Sequence, residues 1–298
     1  MKLAAIDIGS NAARLLISEA SPNRTGAMDF TKVNLVRVPL RLGFDVFDTG
    51  KISEKRAACL LDTIRAYKLL LDVYEVKYLK ACATSAMRDA INGPQLLQEV
   101  RHQTGIDIKI ISGQEEASYI YENHIAEQLD NTKSYLYIDV GGGSTELTLF
   151  SNKQLVFKES FNIGTIRLLH NQVPDSTWQQ LKDFLKNHLR NIGPVVAIGS
   201  GGNINKVFSL SKRKEGKPLS LDTLKDYYKE FASFSVEERI HIYNLREDRA
   251  DVIVPALQIY INVMRWADTS EIYVPKIGLA DGLIHALHTE IAATTSLI

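Results

Sequence analysis

The stretch SYLYIDVGGGSTELTLF, residues 134–150, decides the fold. An apolar run reaches Asp139, then Gly141, Gly142 and Gly143 turn the backbone, Ser144 and Thr145 bring hydroxyls, and apolar/polar alternation resumes from Glu146. That pattern predicts a strand, a tight glycine turn and a returning strand. Lacking a Cβ, successive glycines let backbone N–H groups point into one concavity that can hold phosphate oxygens. Asp139 and Glu146 flank the concavity, and carboxylates there suit a hydrated Mg²⁺ rather than the phosphate itself. On its own, the stretch is equally readable as a glycine-rich hairpin connection.

The amino terminus repeats the order. In LAAIDIGSNAARLLIS, residues 3–18, an apolar run leads into Asp7, the residues Gly9, Ser10 and Asn11 form the turn, and a second apolar run follows. The repetition predicts two similar lobes, each presenting a turn to a shared cleft. A third glycine cluster, VVAIGSGGNINKV at residues 195–207, sets Gly199, Gly201 and Gly202 between a strand and a helix. It is not a GxGxxG fingerprint, but its helix N-terminus would aim a positive dipole end at the cleft.

Between these turns the chain predicts a strand at 30–38, a loop at 42–51, a long helix at 54–74 capped by Ser53, and strands at 76–83 and 106–111. Strands interrupted by helices in this order argue for mixed sheets with crossover helices. Arg88 follows the strand ending at Ala83, where ligands meet an open α/β sheet, and on sequence alone reads as a solvated arginine paired with Asp89. Ser112 and Glu115 form an S-x-x-E capping box, so Glu115 has a structural task. Glu116, about 100° further around the helix, does not. In the second half a strand at 153–161 completes a meander, Asp175 or Ser176 caps a helix running to 191, and Ser235 with Glu238 forms another capping box. The polar, turn-rich residues 129–133 place the domain boundary, giving lobes 1–129 and 130–298.

At 298 residues, with 45% hydrophobic and 23% charged content, the chain suits two ordinary globular domains. The 35 basic and 35 acidic residues balance, so no global field draws nucleic acid. No apolar run of about 18 residues predicts a membrane span, and the strand at residue 3 leaves no room for a cleavable leader. Cys59 and Cys82 have no metal spacing and read as reduced core thiols in a cytoplasm. His285 and His288 lack an acid or thiol to complete a ligand set, and no Ser-His-Asp order can be argued. The basic run Lys212, Arg213, Lys214 with Lys217 reads as a solvated loop.

Together the pieces AIDIGSN, ATSAMRDA, ISGQEEA, IDVGGGSTE, NIGTIRL, GSGGN and GLADG resemble, in order and rough spacing, the exopolyphosphatase and guanosine pentaphosphate phosphohydrolase family. The resemblance covers almost the whole chain and implies an α/β fold of two actin-like (ribonuclease H-like) lobes, mixed sheets flanked by helices, with the active-site cleft between them. It implies a short, two-domain form whose final helix, 283–298, returns to the first lobe. It further implies Mg²⁺-dependent release of terminal phosphate from inorganic polyphosphate, with short chains favoured, or removal of the 5′-phosphate of guanosine pentaphosphate in the stringent response. Glu116 would be the catalytic carboxylate and Arg88 a cleft arginine gripping phosphate. Asp139, Glu146 and Asp7 would hold the metal. The phosphate donors would be Gly9, Ser10, Asn11, Gly141, Gly142, Gly143, Ser144, Thr145 and Gly201. Arg167 matches a recurrent family arginine more loosely. A monovalent activator and a homodimer are left open, as are an ATP-using kinase or ATPase of the same superfamily and a non-catalytic phosphate-chain sensor.

Overall fold

The computed structural model describes residues 1–24, 26–121, 133–152, 154–275 and 278–295. It divides into two compact units, Met1–Asn123 with Gly278–Ile298, and His124–Ile277. The boundary expected between residues 129 and 130 lies outside the described residues.

In chain order, the first unit contains β1 (Lys2–Ile8), β2 (Ala13–Pro22), β3 (Met28–Val38), α1 (Leu42–Thr49), α2 (Glu54–Val73), β4 (Tyr78–Ala83), α3 (Ser85–Asp89), α4 (Gly93–Thr104), β5 (Lys109–Ile110) and α5 (Gly113–Tyr121). The second contains β6 (Ser134–Val140), β7 (Thr145–Ser151), β8 (Gln154–Phe161), α6 (Thr165–Leu169), α7 (Asp175–Leu189), β9 (Val195–Ser200), α8 (Gly202–Leu210), β10 (Leu219–Ser220), α9 (Leu221–Ala232), α10 (Val236–Tyr243), α11 (Glu247–Ala250), α12 (Ile253–Trp266) and β11 (Glu271–Tyr273). The closing helix α13 (Leu279–Thr295) belongs to the first unit.

The sheet of the first unit runs β3-β2-β1-β4-β5, and that of the second β10-β11-β9-β6-β7-β8. In each, a glycine turn joins two antiparallel strands, and the first of these also pairs in parallel with the strand that follows a crossover: β1 with β4, β6 with β9. β1 and β6 are therefore interior strands. Their runs of buried residues, Leu3 to Ile8 and Ser134 to Ile138, follow from burial on both faces rather than one.

In the first unit, Leu283, Ile284 and Leu287 of α13 pack with Leu3, Ala5, Leu16 and Cys82 of the sheet. The helix reaches the unit at close range, since a Cβ on Gly282 would lie 1.7 Å from the Tyr119 carbonyl oxygen of α5. Lys32 and Asp281 pair at 2.6 Å on the same contact. Phe30 takes His285 and His288 against its ring, at centroid distances of 4.3 and 5.3 Å. In the second unit α12 is the central helix, with Ile253, Ala256, Leu257, Tyr260, Val263 and Met264 in a core that also takes Leu136, Ile138, Leu147 and Leu149 from the sheet.

Three local expectations change. Residues 42–51 are not a loop: α1 buries Leu42, Val46 and Phe47, a spacing on one helical face whose burial outweighs Gly43 and the two aspartates. At α7, Pro174 stands at the cap and no side chain bonds the helix start, so neither Asp175 nor Ser176 has that role. Of the two thiols only Cys82 is buried; Cys59 is exposed. By contrast Ser53 caps α2, and Ser235 with Glu238 closes a reciprocal capping box on α10. No helix among the described residues is long and apolar enough to cross a membrane.

Gly282→Ala should destabilise the protein by about 3 kcal/mol, because overpacking against backbone cannot relax by a rotamer change. Gly278, where an added Cβ meets nothing within 4 Å, supplies the control. Urea midpoints of Gly282→Ala and Gly278→Ala check this, and equal midpoints would refute it.

Candidate functional site

The two glycine turns are built alike, each described here within its own unit. Gly9 N–H donates to Ala12 C=O at 3.0 Å, and Gly141 N–H donates to Ser144 C=O at 2.9 Å. Each turn is then tied down by the helix that follows the third strand. Arg41 and Gly43, at the start of α1, donate to the carbonyls of Asn11 and Ser10 at 2.9 and 2.8 Å. Thr165 and Ile166, opening α6, donate to Gly141 and Gly142 at 3.1 and 2.9 Å. Arg167 adds its Nε to the Gly143 carbonyl at 2.7 Å. A trans peptide holds C=O and the next N–H on opposite sides. Drawing these carbonyls toward the helix therefore turns the amides of Gly142, Gly143 and Ser144, and of Asn11 and Ala12, the other way. That is the geometry of an anion nest.

Gly164 permits the close approach. A Cβ there would lie 2.3 Å from Gly142 O. Thr145 is wholly buried and its hydroxyl donates to Ile163 C=O at 2.6 Å, so it fastens the turn from behind instead of offering that proton to a phosphate. Ser10 shares a 2.7 Å hydrogen bond with Ser85, just past the end of β4. Ser144 is buried beside the three glycines.

Across each sheet the turn is bordered by a row of register partners. In the first unit the row is Arg14, Asp7, Cys82. In the second it is Glu146, Asp139, Ser200. The rows differ in sign. Arg14 donates to Asp7 Oδ2 at 2.7 Å, and burial lifts the Asp7 pKa while Arg14 pulls against it, with a net rise. Where that row has a guanidinium, the second has Glu146, with one carboxylate oxygen within 4.8 Å of one on Asp139. Ser160 donates to Glu146 at 3.0 Å and Ser200 to Asp139 at 2.6 Å. Two adjacent carboxylates fit a divalent cation. Asp7, expected as a third ligand, pairs through Oδ2 with Arg14.

Among the other expected residues, Arg88 donates to Ile111 C=O at 2.8 Å, with Asp89 at 4.0 Å from its Nε, so the arginine bridges the ends of β4 and β5. Glu115 forms the capping box with Ser112 and pairs with Lys109 at 2.7 Å, which together hold its pKa down to about 2. Glu116 is buried, its N–H donating to Ser112 C=O at 2.9 Å. The Cys82 thiol is pushed up first by burial and then by the charges of Asp7 and Glu116, which puts Glu116 within electrostatic reach of the Asp7 row. Gly201 has φ of +110° and leaves room beside Asp139. The residues 212–217 are exposed.

Sequence reasoning missed Arg14, Gly164, Ser85 and Ser200. Arg14 was detectable, because it follows Asp7 at the spacing by which Glu146 follows Asp139. The others act through hydrogen bonds and close approaches between distant segments, for which the chain carries no local signal.

Comparison with known proteins gives the family and the fold. A profile described as the Ppx/GppA phosphatase family matches residues 23–290. The bifunctional 3-dehydroquinate synthase/phosphatase of Fusobacterium nucleatum is 28% identical over 244 residues, 81% of this chain and only 35% of that protein's length. Exopolyphosphatase 1 of Mycobacterium tuberculosis is 25% identical over 306 residues, covering 95% of this chain and 87% of its own. In fold, the chain is similar to a crystal structure of an exopolyphosphatase from Cytophaga hutchinsonii, with TM-score 0.82 and 24% identity over 98% of both chains. The Aquifex aeolicus Ppx/GppA structure gives TM-score 0.75 with 24% identity, also over 98% of both. The expected family and the mixed α/β fold are thereby borne out.

Two outcomes are expected. Gly164→Ala should release the 141–144 turn, lowering both stability and phosphate binding; inorganic phosphate titration beside thermal unfolding would show it, and unchanged binding would refute it. Arg14→Met should strand a buried carboxylate at a cost of about 3–5 kcal/mol. The folded-state pKa of Asp7 then rises further above its ordinary 3.8, so the deficit is greatest at neutral pH. It shrinks as pH falls through that raised pKa. Urea midpoints from pH 8 to pH 4 check the sign, and a deficit that grows toward acid would refute it.

Proposed function

Because the chain belongs to the Ppx/GppA phosphatase family, we propose that it is an exopolyphosphatase, hydrolysing the terminal phosphoanhydride of inorganic polyphosphate. The observation that carries this reading is the pair of helix-pinned turns, each with amides aimed away from its helix and an acid one residue before its first glycine's neighbour. Family membership makes the reaction a phosphoanhydride hydrolysis, and the similarity to a mycobacterial exopolyphosphatase over nearly the whole chain favours polyphosphate.

In this reading the amides of Gly142, Gly143 and Ser144 hold phosphate oxygens, and those of Asn11 and Ala12, in the turn of Gly9, Ser10 and Asn11, form a like nest in the first unit. In the first unit Arg88 would grip phosphate, and in the second Gly201 lies beside Asp139. Glu116 takes a proton from water as the water oxygen bonds to the terminal phosphorus. The bridging P–O bond then breaks, and the shortened chain leaves with the electron pair. Burial of Glu116 suits a base that must be shielded from bulk water. Asp139 and Glu146 would hold a divalent cation, Mg²⁺ by preference; when bound, it neutralises charge on the phosphate oxygens as the chain departs. Asp7 stays with Arg14. Alignment and electrostatics supply most of the catalysis in phosphoryl transfer, which fits a site built from pinned backbone. A cytoplasmic location and guanosine pentaphosphate as a second substrate belong to the same proposal.

Phosphate release from polyphosphates of defined length, with guanosine pentaphosphate and ATP in parallel, tests the substrate. A higher kcat/KM for either nucleotide would displace polyphosphate. Glu116→Gln should lower kcat by about 10²–10⁴ while retaining substrate binding. Near wild-type turnover in that variant would remove Glu116 as the base, and polyphosphate binding without any release by the wild type would favour a sensor.

A further inference from the structure

The acid row of the second unit extends past its carboxylates. Ser200 Oγ donates to Asp139 Oδ1 at 2.6 Å, and Ser200 is 2% exposed. The Ser200 carbonyl accepts the hydroxyl of Tyr260, a fully enclosed side chain of α12. Between them lies Gly201, where an added Cβ would come within 3.4 Å of Asp139 Oδ1 and 3.5 Å of the Tyr260 oxygen. Asp139 thus accepts at one oxygen from a buried hydroxyl whose own backbone carbonyl is held by the core helix.

The first unit lacks this device. The residue beside Asp7 on the parallel strand is Cys82, a weak donor, and Asp7 is held from the other side by Arg14. A guanidinium orients a carboxylate while also offsetting its negative charge. A neutral hydroxyl orients it and leaves the negative charge available.

We propose that Ser200, anchored by Tyr260, is a positioning residue that orients Asp139 for a divalent cation. This rests on the assignment of the cation to Asp139 and Glu146. Losing an oriented partner of a ligating carboxylate typically weakens metal affinity by about 10–100-fold.

The test is Mn²⁺ binding to the purified full chain, followed by electron paramagnetic resonance, with Mg²⁺ dependence of phosphate release alongside. Ser200→Ala should weaken Mn²⁺ binding about tenfold and raise the Mg²⁺ needed for half-maximal release by a similar factor, with excess Mg²⁺ rescuing the rate. Ser200→Cys, close in volume and poor as a donor, should behave like Ser200→Ala and carries the comparison if the alanine variant unfolds. Tyr260→Phe should show a smaller loss in the same direction. Wild-type Mn²⁺ affinity in both Ser200 variants would overturn the proposal, while loss of binding in Asp139→Asn would keep the cation site itself. A wild-type chain that binds no Mn²⁺ and releases phosphate without divalent ions would overturn the site and the proposal together.

Discussion

A planar peptide cannot turn its carbonyl one way without turning the next amide the other, and the two glycine turns depend on that constraint. Glycines permit many conformations, so their presence alone aims nothing. What aims them here is a set of carbonyl acceptors claimed by Arg41 and Gly43 in one unit and by Thr165, Ile166 and Arg167 in the other. The third strand of each meander exists, in this sense, to deliver a helix start to the back of the turn. The nest is then pre-set before any anion arrives, and binding need not supply the entropy of ordering it.

The rows beside the turns separate two tasks that a repeated scaffold might have left the same. Register pairing sets a side chain opposite Asp7 and another opposite Asp139, because strand partners one position out would face the other side of the sheet. Arg14 makes the first row self-compensating. Glu146 gives the second row another acid, and the hydroxyls of Ser160 and Ser200 donate to its two carboxylates. Two neighbouring acids, one of them buried, make the second row the better candidate for a divalent cation.

Much of this was readable in the chain. The strand, Asp, glycine-turn, strand order of residues 3–18 and 134–150 was a local pattern, and it located both hairpins. The capping boxes at Ser112 and Ser235 were likewise local, since a cap is a contact over three residues. Helix α1 was not readable, because Gly43 and two aspartates weaken its propensity and only burial of Leu42, Val46 and Phe47 restores it. Gly164 and Ser200 were hidden for another reason: each is defined by what lies against it, a backbone oxygen of Gly142 or a carboxylate of Asp139, and neither neighbour is close in sequence. The hydroxyl of Thr145 could be seen, but not its direction.

Both meanders also contain a register shift on the outer pairing, between Ile17 and Ser18 in one and between Leu149 and Phe150 in the other. Each irregularity follows the fifth residue of the strand that leaves the glycine turn. A bulge at such a place bends the strand and adds to its twist beyond the paired acids rather than at them. The outer strands differ in length, eleven residues in β3 and eight in β8, while the glycine turns that join the inner strands, residues 9–12 and 141–144, match.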